Sequence, residues 1–412
     1  MKPATLVTTI LLFASLSQAQ APTSFACSQT EVNRTAAQVD SVRKRLLELP
    51  IGDGLQTDVS HLAQQTIATM KSALGDFISA YLQCVSLQPD PARITSDLSA
   101  LGHAFEMPSG PIPKEDIPPD FGKFGFELSF HTRLFENPRL LGVTANFSIE
   151  CGGDTVLLIF SRSAESWKEV LRWQKRPYAT VAGGTLAFDY GISPPDDAGQ
   201  WFLVTHDVAP WCSSTWSDIR YSVLRPTPDP DRPKSLFSGS DFMWWGNEDF
   251  GTLAVQKGAF DLRFHSASID AGVHNRVWIR HYSVIGDAIR RIQPVAVSPR
   301  DFVDEWIVSP WRQAAQWSSN SAIAELRQAH DEWSRRKKTD INLLEYYSVH
   351  RCAEIPGRYQ VEVAEETGPK FETARSFYFQ VRGNGDYTML RVSDKSDAKC
   401  SGPNILDEMG TK

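Results

Sequence analysis

The sequence predicts an α+β protein that is predominantly antiparallel β-sheet, arranged as a sandwich or as an open propeller-like stack of short sheets. Helical periodicity is confined to an N-terminal region and to a helical insertion near residues 299–337. Between and after these regions lie short runs rich in aromatic and β-branched residues, separated by Gly, Pro, Asp and Asn. Such short runs, separated by turn-forming residues, are typical of antiparallel strands and turns.

Residues 1–21 have the layout of a secretory signal peptide. A basic start is followed by an uncharged apolar run over residues 4–16, and Ala19 and Ala21 offer small-residue cleavage positions. We therefore expect a secreted or periplasmic protein. Since no later apolar run reaches the ~20 residues of a membrane span, we expect no transmembrane segment after cleavage. A lipid anchor on Cys27 is the alternative, but the usual leucine three residues before it is missing.

The composition excludes several classes of protein. The net charge is −7, which argues against a nucleic-acid partner because such proteins are normally basic. The sequence contains no GxSxG elbow, no phosphate-binding glycine loop and no HExxH pair, so we expect no cofactor and no metal. It assigns no catalytic residue.

Six cysteines in an exported chain predict disulfide bonds. No CxxC pair is present, so neither a zinc knuckle nor a thioredoxin-type redox motif is indicated. Sequential pairing gives one bridge per module. The predicted pairs are Cys27–Cys84, Cys151–Cys212 and Cys352–Cys400.

Residues 27–104 predict a helical hairpin followed by a third helix. Ser28 and Glu31 form a capping box, and an apolar stripe of helical period follows. The turn-forming stretch PIGDG separates this helix from a longer second one, and Pro91 suits the first turn of the third. A proline-rich linker over residues 105–120 then marks a domain boundary.

Residues 121–297 predict a β-rich domain with a faint internal repeat. The segments SWKEVLRWQ, WSDIRYSVLR and HNRVWIRHYSV each end a block of roughly 50–60 residues and precede a short apolar run. This arrangement resembles the outer two strands of a propeller blade, although three blades are too few for closure. The stretch SPPDDAGQW resembles the Asp-box turn of sialidase-like propellers, but its serine and tryptophan are displaced from that pattern.

The chain is predicted to end in a second helical part and a small sheet. Residues 298–338 begin with the serine cap and first-turn proline of SPRDFVDEW and continue with helical spacing. Residues 339–400 contain the probable strands RYQVEVAEE, SFYFQVRG and YTMLRVS. A sheet of this size has a marginal core of its own, so we expect its two cysteines to stabilise it.

The candidate ligand site centres on the stretch SDFMWWGNEDFGTLAV, which we interpret as a strand, a turn and a second strand in a hairpin. Tryptophan rings can stack on sugars, and the neighbouring acids can bond hydroxyl groups. Strand alternation places the two tryptophans on opposite faces, and the two acids likewise. The predicted site residues are Trp244, Trp245, Glu248, Asp249, His265 and Asp270.

Two functions remain open on the sequence alone. The first is a non-catalytic binding or interaction protein, whose ligand is a carbohydrate or a component of the cell envelope. The second is an extracellular glycan hydrolase that uses Glu248 or Asp249 with a second, distant carboxylate such as Asp207 or Asp270. A structural envelope protein without a small ligand is a third, plainer alternative.

Overall fold

The structure is a computed structural model that describes most of the chain after residue 27. The described residues are 28–50, 58–88, 90–107, 118, 120–163, 166–210, 214–246, 249–270, 273, 275–336, 343–367 and 373–409. The predicted signal peptide and most of the proline-rich linker lie outside these ranges. Within them, no helix is long and apolar enough to cross a membrane.

Three N-terminal helices form the first layer, as the sequence predicts. They are α1 (Gln29–Leu47), α2 (His61–Leu82) and α3 (Pro91–Leu101). The Ser28 side chain accepts a hydrogen bond from the Glu31 N–H, and Asp90 caps α3 in the same way through the Ala92 N–H. The apolar faces of α1 and α2 pack together and cover one side of the first sheet. Each large apolar side chain buried there contributes about 1.5–3 kcal/mol relative to exposure.

Sixteen strands in the described residues form four antiparallel sheets, each of four strands that are consecutive in the chain. The first sheet contains β1 (Leu128–Glu136), β2 (Arg139–Ile149), β3 (Gly152–Arg162) and β4 (Trp167–Gln174). The second contains β5 (Ala187–Ile192), β6 (Leu203–Val208), β7 (Trp216–Arg225) and β8 (Lys234–Trp244). The third contains β9 (Thr252–Gln256), β10 (Ala259–Ser266), β11 (Arg276–Ile285) and β12 (Ala288–Arg291). The fourth contains β13 (Leu343–Arg351), β14 (Arg358–Thr367), β15 (Thr373–Arg382) and β16 (Thr388–Ser393).

The first three sheets stack face to face in chain order, which confirms the predicted stack of short sheets. Apolar side chains of the first sheet meet the second around Leu157 and Ile192. The opposite face of the second sheet meets the third around Val223 and Phe260. Because side chains alternate along each strand, the two faces of a sheet pack into two separate hydrophobic cores.

The third and fourth sheets are joined through a second group of helices. These are α4 (Pro299–Val308), the short α5 (Trp311–Ala314) and α6 (Ile323–Arg336). Helices α4 and α6 share one core with the fourth sheet, in which Trp306 and Trp333 are fully buried. The helical segment and the C-terminal sheet thus stabilise one another, and β13 is a strand that the sequence did not indicate.

The repeat seen in the sequence corresponds only in part to the sheets. WSDIRYSVLR and HNRVWIRHYSV lie on the third strands of the second and third sheets, whereas SWKEVLRWQ is the last strand of the first. The fourth sheet lies outside the repeat. The segment that resembles an Asp-box forms the turn between β5 and β6, where the Asp196 carboxylate accepts hydrogen bonds from the Ala198 and Gln200 N–H groups at 2.9 and 2.8 Å.

The disulfide prediction is confirmed for one pair. Cys352 and Cys400 are bonded and join the end of β13 to the segment after β16. Cys84 and Cys151 are also disulfide-bonded. Their predicted partners, Cys27 and Cys212, lie outside the described residues, so these two pairings stay predictions.

Candidate functional site

Residues 240–255, which contain the two adjacent tryptophans, connect two sheets. Strand β8 ends at Trp244 in the second sheet, and β9 begins at Thr252 in the third. The hairpin prediction is therefore wrong, because the two strands do not pair with one another. The Asp249 carboxylate accepts a hydrogen bond from the Gly251 N–H at 3.0 Å, and Gly251 adopts the positive φ that this bend requires.

The two adjacent tryptophans have different surroundings, in agreement with the predicted alternation. Trp245 packs into the core between the second and third sheets and stacks on Phe250, with ring centroids 5.9 Å apart. Trp244 is half-buried, and its ring meets the imidazole of His265 edge-on at 6.3 Å. Only Trp244 belongs to the candidate site.

Three aromatic side chains lie together at the β8 edge of the second sheet. Phe242 and Trp244 are two residues apart on β8 and so share a face, and Trp216 on β7 is directly opposite Trp244. The rings of Trp216 and Phe242 are nearly parallel, at 10° and 5.3 Å between centroids. Phe242 is 52% exposed. We call Trp216, Phe242 and Trp244 the aromatic platform.

A polar group borders the aromatic platform. His265, at the end of β10, lies between two acceptor oxygens: Nδ1 is 2.7 Å from Asn275 Oδ1, and Nε2 is 3.3 Å from Asp249 Oδ2. About a third of the His265 side chain and 45% of that of Asp249 are exposed. The imidazole is held in one orientation, and the remaining acceptor positions of the carboxylate and the amide stay available to hydroxyl groups of a ligand.

Asp270 has a contact that ties two sheets together. Its side chain is buried, and Oδ2 accepts a hydrogen bond from the Tyr346 N–H at 2.8 Å. A parallel bridge between Asp270 and Leu344 extends this connection to β13. Of the six predicted site residues, the structure thus brings together Trp244, Asp249 and His265. Glu248 lies outside the described residues.

Sequence reasoning missed three members of the site. The spacing of Phe242 and Trp244 by one residue already indicates a shared face of a strand. Trp216 lies 28 positions before Trp244 and joins the platform only through the pairing of β7 with β8. Asn275 reaches His265 because β10 pairs with β11.

Comparison with known proteins adds no identity to this geometry. No protein-family model matches the chain, and no curated protein sequence matches it. Within the described ranges, no group of three or more His, Cys, Asp or Glu side chains is placed to hold a metal ion. The site is therefore interpreted from its own chemistry.

Proposed function

We propose that this protein is a non-catalytic carbohydrate-binding protein, exported to the cell envelope or the medium, whose ligand stacks on the aromatic platform. The observation that carries the proposal is the parallel pair Trp216–Phe242, in which Phe242 is about half exposed. Exposed aromatic rings with a polar rim are characteristic of recognition surfaces. The predicted export signal and the disulfide bond between Cys352 and Cys400 are compatible with such a location.

The chemistry of the platform suits a sugar. The apolar C–H face of a pyranose ring can lie on the flat aromatic surface, while its hydroxyl groups donate to Asp249 and Asn275. Because the platform is a surface and not a deep pocket, we expect dissociation constants in the micromolar range or weaker.

The contacts of the acidic residues favour binding over hydrolysis. A glycosidase needs two carboxyl groups about 5–10 Å apart with the scissile bond between them. Asp249 is positioned against His265. Of its two suggested partners, Asp270 is bonded to the Tyr346 N–H, and Asp207 is buried in an ion pair with Lys175 at 2.6 Å. Asp270 therefore stabilises the fold and does not serve as the second carboxyl group of a glycosidase site.

Replacing Phe242 by alanine is expected to weaken glycan binding at least tenfold, which corresponds to about 1.4 kcal/mol. The reason is loss of the exposed ring on which the sugar stacks. A glycan array with the mature wild-type chain identifies the ligand, and titration of intrinsic tryptophan fluorescence measures the affinity of each variant.

Phe121→Ala is the matched control, because Phe121 is also 52% exposed but belongs to the segment that precedes β1. We expect it to bind like the wild type. Equal affinity of the Phe242→Ala and wild-type proteins would contradict the proposal. So would turnover of a chromogenic glycoside that Asp249→Asn abolishes, since this is the result that the hydrolase alternative requires.

A further inference from the structure

A second recognition feature lies at the opposite edge of the second sheet, between strand β5 and the first sheet. It is a cleft of about 830 Å³, within the size range of ligand sites. Its walls come from β1, β2 and β3 on one side and from β5 on the other. The aromatic platform lies on β8, at the other edge of the same sheet.

The cleft exists because the second sheet covers only half of the facing side of the first. The covered half is apolar and packs around Leu157, Ile159 and Tyr190. Close approach at this end requires Gly142, since a Cβ there would overlap the Tyr190 hydroxyl. The uncovered half is polar and carries Ser129, His131, Thr144, Asn146 and Thr155 in adjacent cross-strand positions.

One hydroxyl group of the cleft wall has unmet hydrogen-bonding capacity. The Thr185 Oγ1 atom is buried and has no hydrogen-bond partner among the described residues. Thr185 as a whole is 4% exposed. A buried hydroxyl without a partner is destabilising, and a polar ligand in the cleft would supply the missing hydrogen bond.

The charges of the cleft favour a cationic ligand. Four acids line it: Glu106, Glu127, Asp154 and Asp189. Asp154 is balanced by the buried Lys71 at 3.0 Å, and Asp189 by Arg133 at 3.0 Å. Glu106 and Glu127 have no lysine or arginine partner among the described residues, and Glu106 Oε1 lies 3.6 Å from His131 Nε2.

We propose that this cleft is a second binding site, for a ligand that carries primary amines. An ammonium group donates three hydrogen bonds and accepts none, so it matches a cleft of carboxylate, hydroxyl and amide oxygens. Two sources share this chemistry, a linear polyamine and an oligosaccharide of unacetylated amino sugars. The site is independent of the glycan site on the platform.

Calorimetric titration of the mature chain with spermidine and with a glucosamine trimer tests the proposal. The titrations use the Phe242→Ala variant, so that the aromatic platform does not contribute. We expect at least one of the two amines to bind. The fully N-acetylated trimer should bind at least tenfold more weakly than the amine that binds. Raising the ionic strength should weaken the amine binding.

The variant Glu127→Gln is expected to weaken amine binding at least tenfold, and Glu106→Gln, an exposed position that carries little risk to folding, should weaken it in the same direction. Glu325→Gln on α6 is the control and should bind as the parent does. Binding of spermidine alone identifies the polyamine as the source, and binding of the trimer alone identifies the amino sugar. Absence of binding by both amines, equal binding of the acetylated trimer, or unchanged affinity in Glu127→Gln would overturn the proposal, whatever the outcome at the platform.

Discussion

Replacing Glu305 by glutamine is expected to lower the free energy of unfolding by about 3–5 kcal/mol. Glu305 lies on α4, and its side chain is 1% exposed. Its carboxylate contacts three arginines of the third sheet: Arg276 at 3.0 Å, Arg280 at 3.1 Å and Arg291 at 2.7 Å. Removing its charge leaves these cations buried with too few partners. Urea unfolding at neutral pH measures the loss.

Glu325→Gln is the control for this experiment, because Glu325 is exposed on the neighbouring helix α6. A surface substitution of this kind changes the free energy of unfolding by less than about 0.5 kcal/mol. A loss below about 1 kcal/mol in Glu305→Gln would mean that the arginines are stabilised by other means, and would contradict the prediction.

The difference in the free energy of unfolding between the wild type and Glu305→Gln is also expected to depend on pH. Burial alone would raise the pKa of Glu305, but the charges of Arg291, Arg280 and Arg276 outweigh it and hold the pKa well below the ordinary value of 4.5. A carboxyl whose pKa is lowered on folding contributes its full stabilisation above the unfolded-state pKa. The difference between the two proteins should therefore be constant above about pH 5 and shrink as the pH falls below 4.5.

Replacing Lys71 by methionine is expected to lower the free energy of unfolding by about 3–5 kcal/mol, as for Glu305→Gln. Lys71 extends from α2 to Asp154 on β3, and the two side chains are 2% and 0% exposed. Its Nζ also donates to the Lys175 carbonyl at 2.7 Å, while the Tyr178 hydroxyl donates to Asp154 at 2.9 Å. Without the lysine, Asp154 is a buried anion that keeps hydrogen bonds but has lost its direct ion-pair partner. Chemical unfolding of the single variant tests this.

The double variant Lys71→Met with Asp154→Asn separates the ion pair from simple packing. Because the second substitution removes the charge that the first leaves unpaired, the double variant should lose less stability than the sum of the two singles, by at least 1 kcal/mol. Strict additivity would show that the pair is not coupled. The exposed pair of Lys399 and Glu354, 62% exposed at both residues, is the control and should show little coupling.

Local signals in the sequence were sufficient for the helices and for most strands. Ser28, Asp90 and Ser298 each precede a helix and cap it through the side chain, and such contacts depend only on near neighbours in the chain. Strand patterns are equally local, but the sheet to which a strand belongs is not. This explains why β8 and β9 resembled a hairpin although they pair with different strands.

The candidate site was predicted only in part for the same reason. Trp244, Asp249 and His265 have suitable chemistry, and two of them lie in one short stretch of sequence. Trp216 and Asn275 join them through strand register, which a single sequence does not display. The polar half of the first sheet is still less visible, because an alternating strand reads the same whether a second sheet or a ligand covers it.

The consecutive arrangement of the sheets also has a consequence for the order of assembly. Each sheet consists of strands that follow one another in the chain, so the layers can form successively as the polypeptide emerges from the N-terminus. The third sheet is an exception. Its buried Arg276 and Arg291 acquire their anions only when α4 has emerged, whereas Arg280 already meets Asp241 of β8 at 2.6 Å. Nascent chains that stop before residue 299 should therefore hold two finished sheets and a third whose buried charges are only partly paired, a point at which we expect folding during synthesis to pause.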